Sequence, residues 1–239
     1  MELAWKITLV LCFSCSVLYA QDDPFAGLVA PITARVAYRA DLESSRKDKV
    51  ILANGEGLEL AFDSASNAIR QITGVGLAHI AGSLRGDRAA TVVAADALLK
   101  LNKYLELPLA DLRLSTAVKG EDGQGIIVYG FHRQGIPVLD ATVVVFFAQD
   151  SLIRVLNYSY SEMEVEPIIF YPADVELSLR SRGYQVQVDE NPVYRVFGQQ
   201  MVLAYALHLT AKNGESAEVY LNSKNREFFD LRRQESLAR

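Results

Sequence analysis

Cysteine is nearly absent from this sequence of 239 residues, which has only Cys12 and Cys15. Both lie in residues 1–20, which have the pattern of a secretory signal peptide: Lys6 precedes an apolar stretch, and small residues end it at Ala20. Cleavage there leaves a mature chain with no disulfide, no thiol nucleophile and no thiolate metal ligand. A retained anchor, or a lipid on Cys15, is the alternative that this segment leaves open.

Long apolar runs and an excess of positive charge are also lacking. The apolar stretch within residues 1–20 is shorter than the roughly 20 apolar residues that a membrane-spanning helix needs, and no later stretch reaches that length. The net charge of −5 argues against nucleic acid or an anionic membrane surface as the main partner. A chain of this length buries about 70% of its unfolded surface and needs no covalent staple. We expect a secreted or periplasmic globular protein.

Histidine is scarce, which limits the chemistry available. The three histidines, His79, His132 and His208, each stand alone. The sequence has no H-E-x-x-H pair, no G-x-S-x-G elbow and no G-x-G-x-x-G loop leading into a helix. The one acid–base couple on offer is His132 with Asp140, across a predicted hairpin. Because no activated nucleophile or metal cluster can be assembled, we predict no enzymatic activity, no cofactor and no metal.

Three glutamates, Glu162, Glu164 and Glu166, alternate with apolar residues. In a strand this spacing puts the three carboxylates on one face, with neighbours about 6.6 Å apart. That separation is too wide for all three to hold one ion. The pattern therefore favours a solvated strand face or a linker over a calcium site or a docking surface for a basic partner.

The order of elements along the chain predicts the fold class. Residues 21–34 have little pattern and are interpreted as a linker, and residues 35–73 form a β-rich N-terminal region. Apolar periodicity then predicts a helix over residues 89–105, followed by four strands with short breaks. A shorter helix over residues 173–182 precedes four further strands. We predict an α+β fold of two cystatin-like units, each a helix packed on an antiparallel sheet.

The strand–turn–strand run at residues 126–160 points to a family. It contains Gly-Ile-Pro-Val at residues 135–138, then an apolar strand. Glycine is free to take a positive φ and proline fixes its own, so this sequence suits a tight chain reversal. The run resembles the fungalysin- and thermolysin-type propeptide (FTP) domain, which carries a hairpin of this kind.

The following part of the chain resembles a PepSY-type propeptide domain. The resemblance lies in the apolar strand at residues 201–207 and in the hairpin at residues 218–227. Together the two likenesses extend over residues 73–232. They imply an FTP-like domain at residues 74–161 and a PepSY-like domain at residues 162–239.

The sequence departs from the family pattern in three ways. Apolar residues, among them Ile126 and Phe131, stand on the strand where the family usually has polar ones, and Asp140 stands where glycine is usual. Family propeptides also precede a zinc peptidase domain, whereas the sequence reaches Arg239 without one. The resemblance therefore implies a free-standing exported domain that binds, inhibits or assists the folding of a secreted metallopeptidase in trans.

The hairpin turn is the surface that we predict to bind this partner. We assign to it Gln134, Gly135, Ile136, Pro137 and Asp140, because turns carry function more often than the strands they connect. An exported interaction or surface-binding module with no protease role is the alternative. The β-rich N-terminal region favours that alternative, since the family resemblance does not explain it.

Overall fold

The structure is a computed structural model that describes residues 23–28, 46–51, 57–79, 87–120, 124–148, 151–197 and 200–234. The predicted signal peptide at residues 1–20, including Cys15, lies outside these ranges. So does most of the predicted linker at residues 21–34. Within the described ranges, no helix has the length and apolar character needed to cross a membrane.

Strands make up most of the described structure. In chain order they are β1 (Lys47–Ile51), β2 (Gly57–Phe62), β3 (Ile69–His79), β4 (Leu112–Lys119), β5 (Gly125–Arg133), β6 (Ile136–Ala148), β7 (Ser151–Tyr158), β8 (Glu164–Val165), β9 (Gln185–Val188), β10 (Val193–Phe197), β11 (Gln200–Thr210), β12 (Ser216–Asn222) and β13 (Phe228–Gln234). The described helices are α1 (Asp87–Leu105) and α2 (Ala173–Ser181), with a 3₁₀ turn at Leu109–Asp111.

The predicted α+β class, with two cystatin-like units of a helix on an antiparallel sheet, is wrong. The described residues are predominantly strand, in a large mixed sheet. β10 runs parallel to β6, with Tyr194 opposite Val138, and β8 runs parallel to β11. The prediction treated consecutive strands as meanders, because apolar periodicity reports only local pairing. The parallel pairs join segments that are distant in sequence, which no local pattern encodes.

Two compact units interleave along the chain. Among the described residues, the smaller unit consists of residues 23–28, Pro167–Pro192 and residues 203–234, and the larger unit of the described parts of residues 46–166 and 193–202. β11 thus contributes its first residues to the larger unit and the rest to the smaller one. The predicted domain boundaries after residues 34, 73 and 161 stay predictions.

The larger unit contains the strand order β1-β2-β3-β7-β6-β5-β4, in which all neighbours are antiparallel. β10 joins β6 at Val138, ahead of Thr142, where β6 begins to pair with β7. β4 pairs with β5 alone among the described strands and so forms an edge of this sheet.

Helix α1 forms because its apolar residues recur every three or four positions and cover one face. The buried positions on that face are Ala94, Ala97, Leu98, Leu101 and Leu105. They pack in one core with alternating residues of the central strands, namely Ile127, Tyr129, Val143, Val145, Phe147 and Val155. Every second residue on β5 to β7 therefore faces α1, and the residues between them point to the opposite face of the sheet.

The smaller unit has the strand order β9-β11-β12-β13, all antiparallel, with α2 beside β9. Its core includes Leu207, Leu209, Val219 and Leu221. Phe25, from the described part of the predicted linker, is buried in this core, and its ring stacks on Tyr184 at a centroid distance of 5.9 Å. Residues 23–28 therefore contribute to the core of the smaller unit.

Candidate functional site

The hairpin between β5 and β6 contains the residues predicted to bind a partner. Arg133 pairs with Ile136, so the loop has two residues, Gln134 with φ 54° and Gly135 with φ 82°. Positive φ at both loop positions is the signature of a type I′ turn, which suits the twist of antiparallel strands. Gln134 and Gly135 are exposed, whereas Ile136 and Pro137 are half-buried. The reversal therefore lies at the predicted position.

Asp140 lies apart from this turn, in an irregular part of β6. The register changes from Gly130–Thr142 to Phe131–Val138, so residues 139–141 have no partner on β5. The extra residues form a bulge, which re-aims side chains.

The carboxylate of Asp140 forms an ion pair with Arg195 of β10. Arg195 Nε donates to Asp140 Oδ2 over 2.6 Å, and Nη2 lies 3.5 Å from Oδ1. The Arg195 side chain is 5% exposed and that of Asp140 is 36% exposed. Asp140 therefore pairs with Arg195, and the acid–base couple with His132 that the sequence offered is not formed. Asp140 is the counter-ion of a nearly buried arginine.

β4 offers the least protected strand edge of the larger unit. Its side chains Leu114 and Val118 are 54% and 61% exposed, and no charged residue stands between Arg113 and Lys119. Arg113 directs Nη1 to the backbone oxygens of Ala110 and Leu112, at 2.5 and 2.9 Å. Proteins usually protect strand edges with charge. We call β4, with its exposed Leu114 and Val118, the β4 edge.

β1, at the other end of the same strand order, shows the usual protection. Three of its five residues are charged, and Lys47 forms an ion pair with Glu59 of β2. The contrast between the two edges indicates that β4 is available for pairing and that β1 is disfavoured for it.

An apolar row runs inward from the β4 edge, on the sheet face opposite α1. The registers place Val118 beside Ile126, Ile126 beside Phe146, and Phe146 beside Arg154. The Arg154 guanidinium lies 4.4 Å from the centre of the Phe146 ring. Ile126 is itself 42% exposed. The β4 edge therefore continues into a partly exposed apolar surface.

A fully buried arginine organises another part of the larger unit. Arg70 of β3 donates from Nη2 to Ser66 Oγ over 3.2 Å and to the carboxylate of Glu162. The same Nη2 lies 3.6 Å from Asp63 Oδ2, and the guanidinium stacks on Tyr160 at 4.7 Å. All of these polar contacts are made by Nη2, whereas Nε and Nη1 are buried without a hydrogen bond, so the charge is compensated by its carboxylate partners.

Of the predicted solvated strand face or linker with three glutamates, the strand face is not formed. Glu162 binds the buried Arg70 and lies outside any strand, while Glu164 is exposed in the short strand β8. The spacing of the glutamates did not predict the secondary structure, because only Glu164–Val165 is paired as a strand.

A cavity of about 450 Å³ lies in the larger unit. Its lining comprises Phe62, Asn67, Ala68, Ile69, Tyr104, Leu105, Glu106, Pro108, Arg133, Asn157, Ser161 and Glu162. The volume is within the range of small-molecule sites. Arg133 immediately precedes the hairpin turn and Glu106 immediately follows α1, so the cavity lies where these two elements end.

Three features of this region were missed by sequence reasoning: Arg70, Arg195 and the cavity. A signal for the two arginines does exist, because each stands alone in an apolar strand run, as in Val193–Phe197. A charge inside such a run indicates a buried ion pair. Its partner could not be found, because Asp140 and Glu162 lie far from these arginines in sequence.

The ionisable groups of the larger unit give no sign of a metal centre. Within the described ranges, no group of three or more histidine, cysteine, aspartate or glutamate side chains could hold a metal ion.

Burial raises the pKa of Tyr194, and Glu166 adds to this effect while Arg133 opposes it. The Tyr194 hydroxyl donates to the backbone oxygen of Glu166 over 3.0 Å. This tyrosine therefore stays neutral and structural.

Comparison with known proteins adds no relative: no protein-family model matches the chain, and no curated protein matches it significantly.

Proposed function

We propose that the protein is an exported, non-catalytic binding protein that engages a secreted metallopeptidase in trans and inhibits it or assists its folding. The observation that carries the proposal is the β4 edge. A strand with exposed Leu114 and Val118 and no central charge is a template on which a partner can add a strand.

The choice of a peptidase as partner is supported by the sequence. Residues 126–160 resemble an FTP domain, and residues 201–207 and 218–227 resemble a PepSY domain. Domains of these two kinds occur as propeptides of secreted metallopeptidases. Binding of a peptidase is the role that this resemblance implies.

Strand addition explains how such an interface would work. The β4 ladder has a bulge between Leu114 and Thr116, and is regular from Thr116 to Lys119 against β5. A partner strand beside this regular stretch would gain affinity from main-chain hydrogen bonds. Its alternate side chains would lie beside Val118 and Ile126, and these contacts would supply specificity.

Substitution on the β4 edge tests the proposal. We expect Val118→Asp to weaken binding of the cognate metallopeptidase by about tenfold or more, because the charge must be desolvated against the added strand. Leu114→Asp should weaken binding less, because Leu114 lies beyond the bulge and opposite Tyr129, on the other face of the sheet. Leu177→Asp, on an exposed apolar residue of α2 in the smaller unit, is the matched control and should bind like the wild type. The measurement is calorimetric titration against the secreted metallopeptidases of the source organism.

Two outcomes would count against the proposal. Unchanged affinity of both edge variants would remove β4 from the interface. Binding of an exported protein that is not a peptidase, with no peptidase bound, would favour the alternative of an interaction module without a protease role.

A further inference from the structure

Residues 23–28 are attached to the smaller unit by side chains. The Asp23 carboxylate forms an ion pair with Arg233 of β13, and the Tyr184 hydroxyl donates to the backbone oxygen of Pro24. Among the described residues, the segment forms no backbone–backbone hydrogen bond with a strand. It therefore lies on the unit as a bound peptide would, outside the hydrogen-bonded sheet.

The segment also forms its turns from its own groups. Asp23 Oδ1 accepts from the backbone N–H of Phe25 over 3.1 Å. The N–H of Ala26 donates to the backbone oxygen of Asp23, and the N–H of Leu28 donates to that of Phe25, each over 3.1 Å. Gly27 has φ 81°, a conformation that glycine adopts without strain. A peptide that closes its turns internally loses less conformational freedom when it binds.

Two apolar side chains anchor the segment. Phe25 and Leu28 are buried and belong to the core cluster of the smaller unit. The Phe25 ring stacks on the Tyr184 ring with an interplanar angle of 19°. We call Tyr184, Arg233 and the core side chains around Phe25 the docking site.

These contacts define the chemistry of a peptide that fits the docking site. A carboxylate pairs with Arg233, an aromatic ring two residues further on stacks on Tyr184, and an apolar side chain three residues after the ring enters the core. A glycine before that apolar residue supplies the positive φ. An aromatic anchor in an apolar pocket, with a charged contact beside it, is typical of an interface hot spot.

We infer that the docking site is a peptide-binding site, which residues 23–28 fill in cis and a segment of another protein with the same chemistry fills in trans. Another protein is favoured over a second copy of this chain, because a second copy already has its own segment bound. Exchange between two copies would gain no new contact and would lose the freedom of two separate molecules.

This inference is independent of the proposed function. The docking site belongs to the smaller unit, whereas the β4 edge belongs to the larger one. Its test needs no metallopeptidase, so it can fail while the proposed function stands.

The cis segment determines the affinity that a partner shows. A ligand binds only the fraction of molecules whose docking site is open, so its apparent affinity falls with that fraction. Gly27→Ala should raise the fraction, because alanine at φ 81° strains the turn of the cis segment. A Cβ built on Gly27 has nothing within 4 Å, so the variant leaves the docking site itself unchanged.

Calorimetric titration of the full mature chain with the acetylated and amidated peptide of residues 22–29 tests the site. We expect saturable binding that is about tenfold tighter for the Gly27→Ala chain than for the wild type, and at least as tight for the Phe25→Ala chain. The Phe170→Ala chain, changed at an exposed phenylalanine of the same unit, should bind like the wild type.

The same substitutions in the peptide should have the opposite effect. A peptide with Gly27→Ala should bind the Gly27→Ala chain about tenfold more weakly than the unchanged peptide does, because the strain now lies in the free ligand. A peptide with Phe25→Ala should show no binding. Since the Gly27→Ala chain keeps both apolar anchors, these comparisons do not depend on the folding of the Phe25→Ala chain.

Three results would overturn the inference. The first is no saturable binding of the peptide to the Gly27→Ala chain at millimolar concentration. The second is equal affinity of the unchanged and the Phe25→Ala peptides. The third is a wild-type chain that forms concentration-dependent dimers which the peptide dissociates, because the occupant in trans would then be a second copy and not another protein.

Discussion

Arg195 of β10 donates from Nε to Oδ2 of Asp140 in β6 over 2.6 Å, joining two strands that also pair in parallel at Tyr194 and Val138. The arginine is almost fully buried, and the aspartate gives it a counter-ion at the bulge of β6. The ion pair and the parallel pairing of β10 therefore occur at the same part of β6.

We predict that Asp140→Asn lowers the free energy of unfolding by about 1–3 kcal/mol, because it replaces the carboxylate that pairs with a nearly buried guanidinium by a neutral amide. The loss should be smaller than the 3–5 kcal/mol typical of a fully buried pair, since Asp140 is about a third exposed. Urea unfolding measures it, with Glu164→Gln as the surface control. Equal stability of the two variants would show that the ion pair is not stabilising.

The positive φ of Gly135 predicts that two glycines of the same hairpin differ in their tolerance of alanine. Gly135 has φ 82°, so Gly135→Ala should cost about 1–2 kcal/mol of unfolding free energy. Gly130 has no positive φ, and a Cβ built on it lies 4.0 Å from the backbone oxygen of Arg113. Gly130→Ala should therefore be close to neutral. Thermal unfolding of the two variants compares them, and a larger loss for Gly130→Ala would contradict the turn assignment.

Packing of the N-terminal segment in the core predicts that two phenylalanines of the smaller unit contribute differently to the free energy of unfolding. Phe25 is 2% exposed in the core, whereas Phe170 is 90% exposed. We expect Phe25→Ala to lower the unfolding free energy by about 3–5 kcal/mol, as for a buried aromatic residue. Phe170→Ala should change it by less than about 0.5 kcal/mol. Similar small losses in both would mean that residues 23–28 do not contribute to the core.

Tyr171 predicts a pH dependence. Burial, followed by the charges of Glu176 and Asp174, raises its pKa to about 12 from the ordinary value of 10.0. The folded state then holds the proton more tightly, so the free energy of unfolding falls as pH rises from 10 towards 12. Tyr171→Phe should reduce this fall and keep the edge contact with the Tyr205 ring. Unfolding measured across this pH range tests it, and equal slopes for the two proteins would contradict the shift.

Local pattern was enough to predict most of the elements. The helix predicted over residues 89–105 is confirmed as Asp87–Leu105, and the strands predicted on either side of the Gly135 turn are confirmed as β5 and β6. These elements follow from apolar periodicity and from glycine at a turn, both of which act within a few residues.

The fold class and the candidate sites could not be predicted in the same way. The mixed sheet depends on β10 reaching β6, and the ion pair of Glu162 depends on Arg70, which is distant in sequence. The cavity needs Glu106 and Arg133 from separate elements. Each of these features is a long-range relationship, and a single sequence carries no direct signal for it.

Titration of secreted metallopeptidases with the mature chain tests the proposed function most directly. We predict that one of them loses activity in proportion to added protein until a stoichiometric end point, or that its refolding yield rises with the same stoichiometry. Val118→Asp should shift or abolish that end point, and Leu177→Asp should not. No change in activity or yield, and no complex with any metallopeptidase of the source organism, would contradict the proposed function.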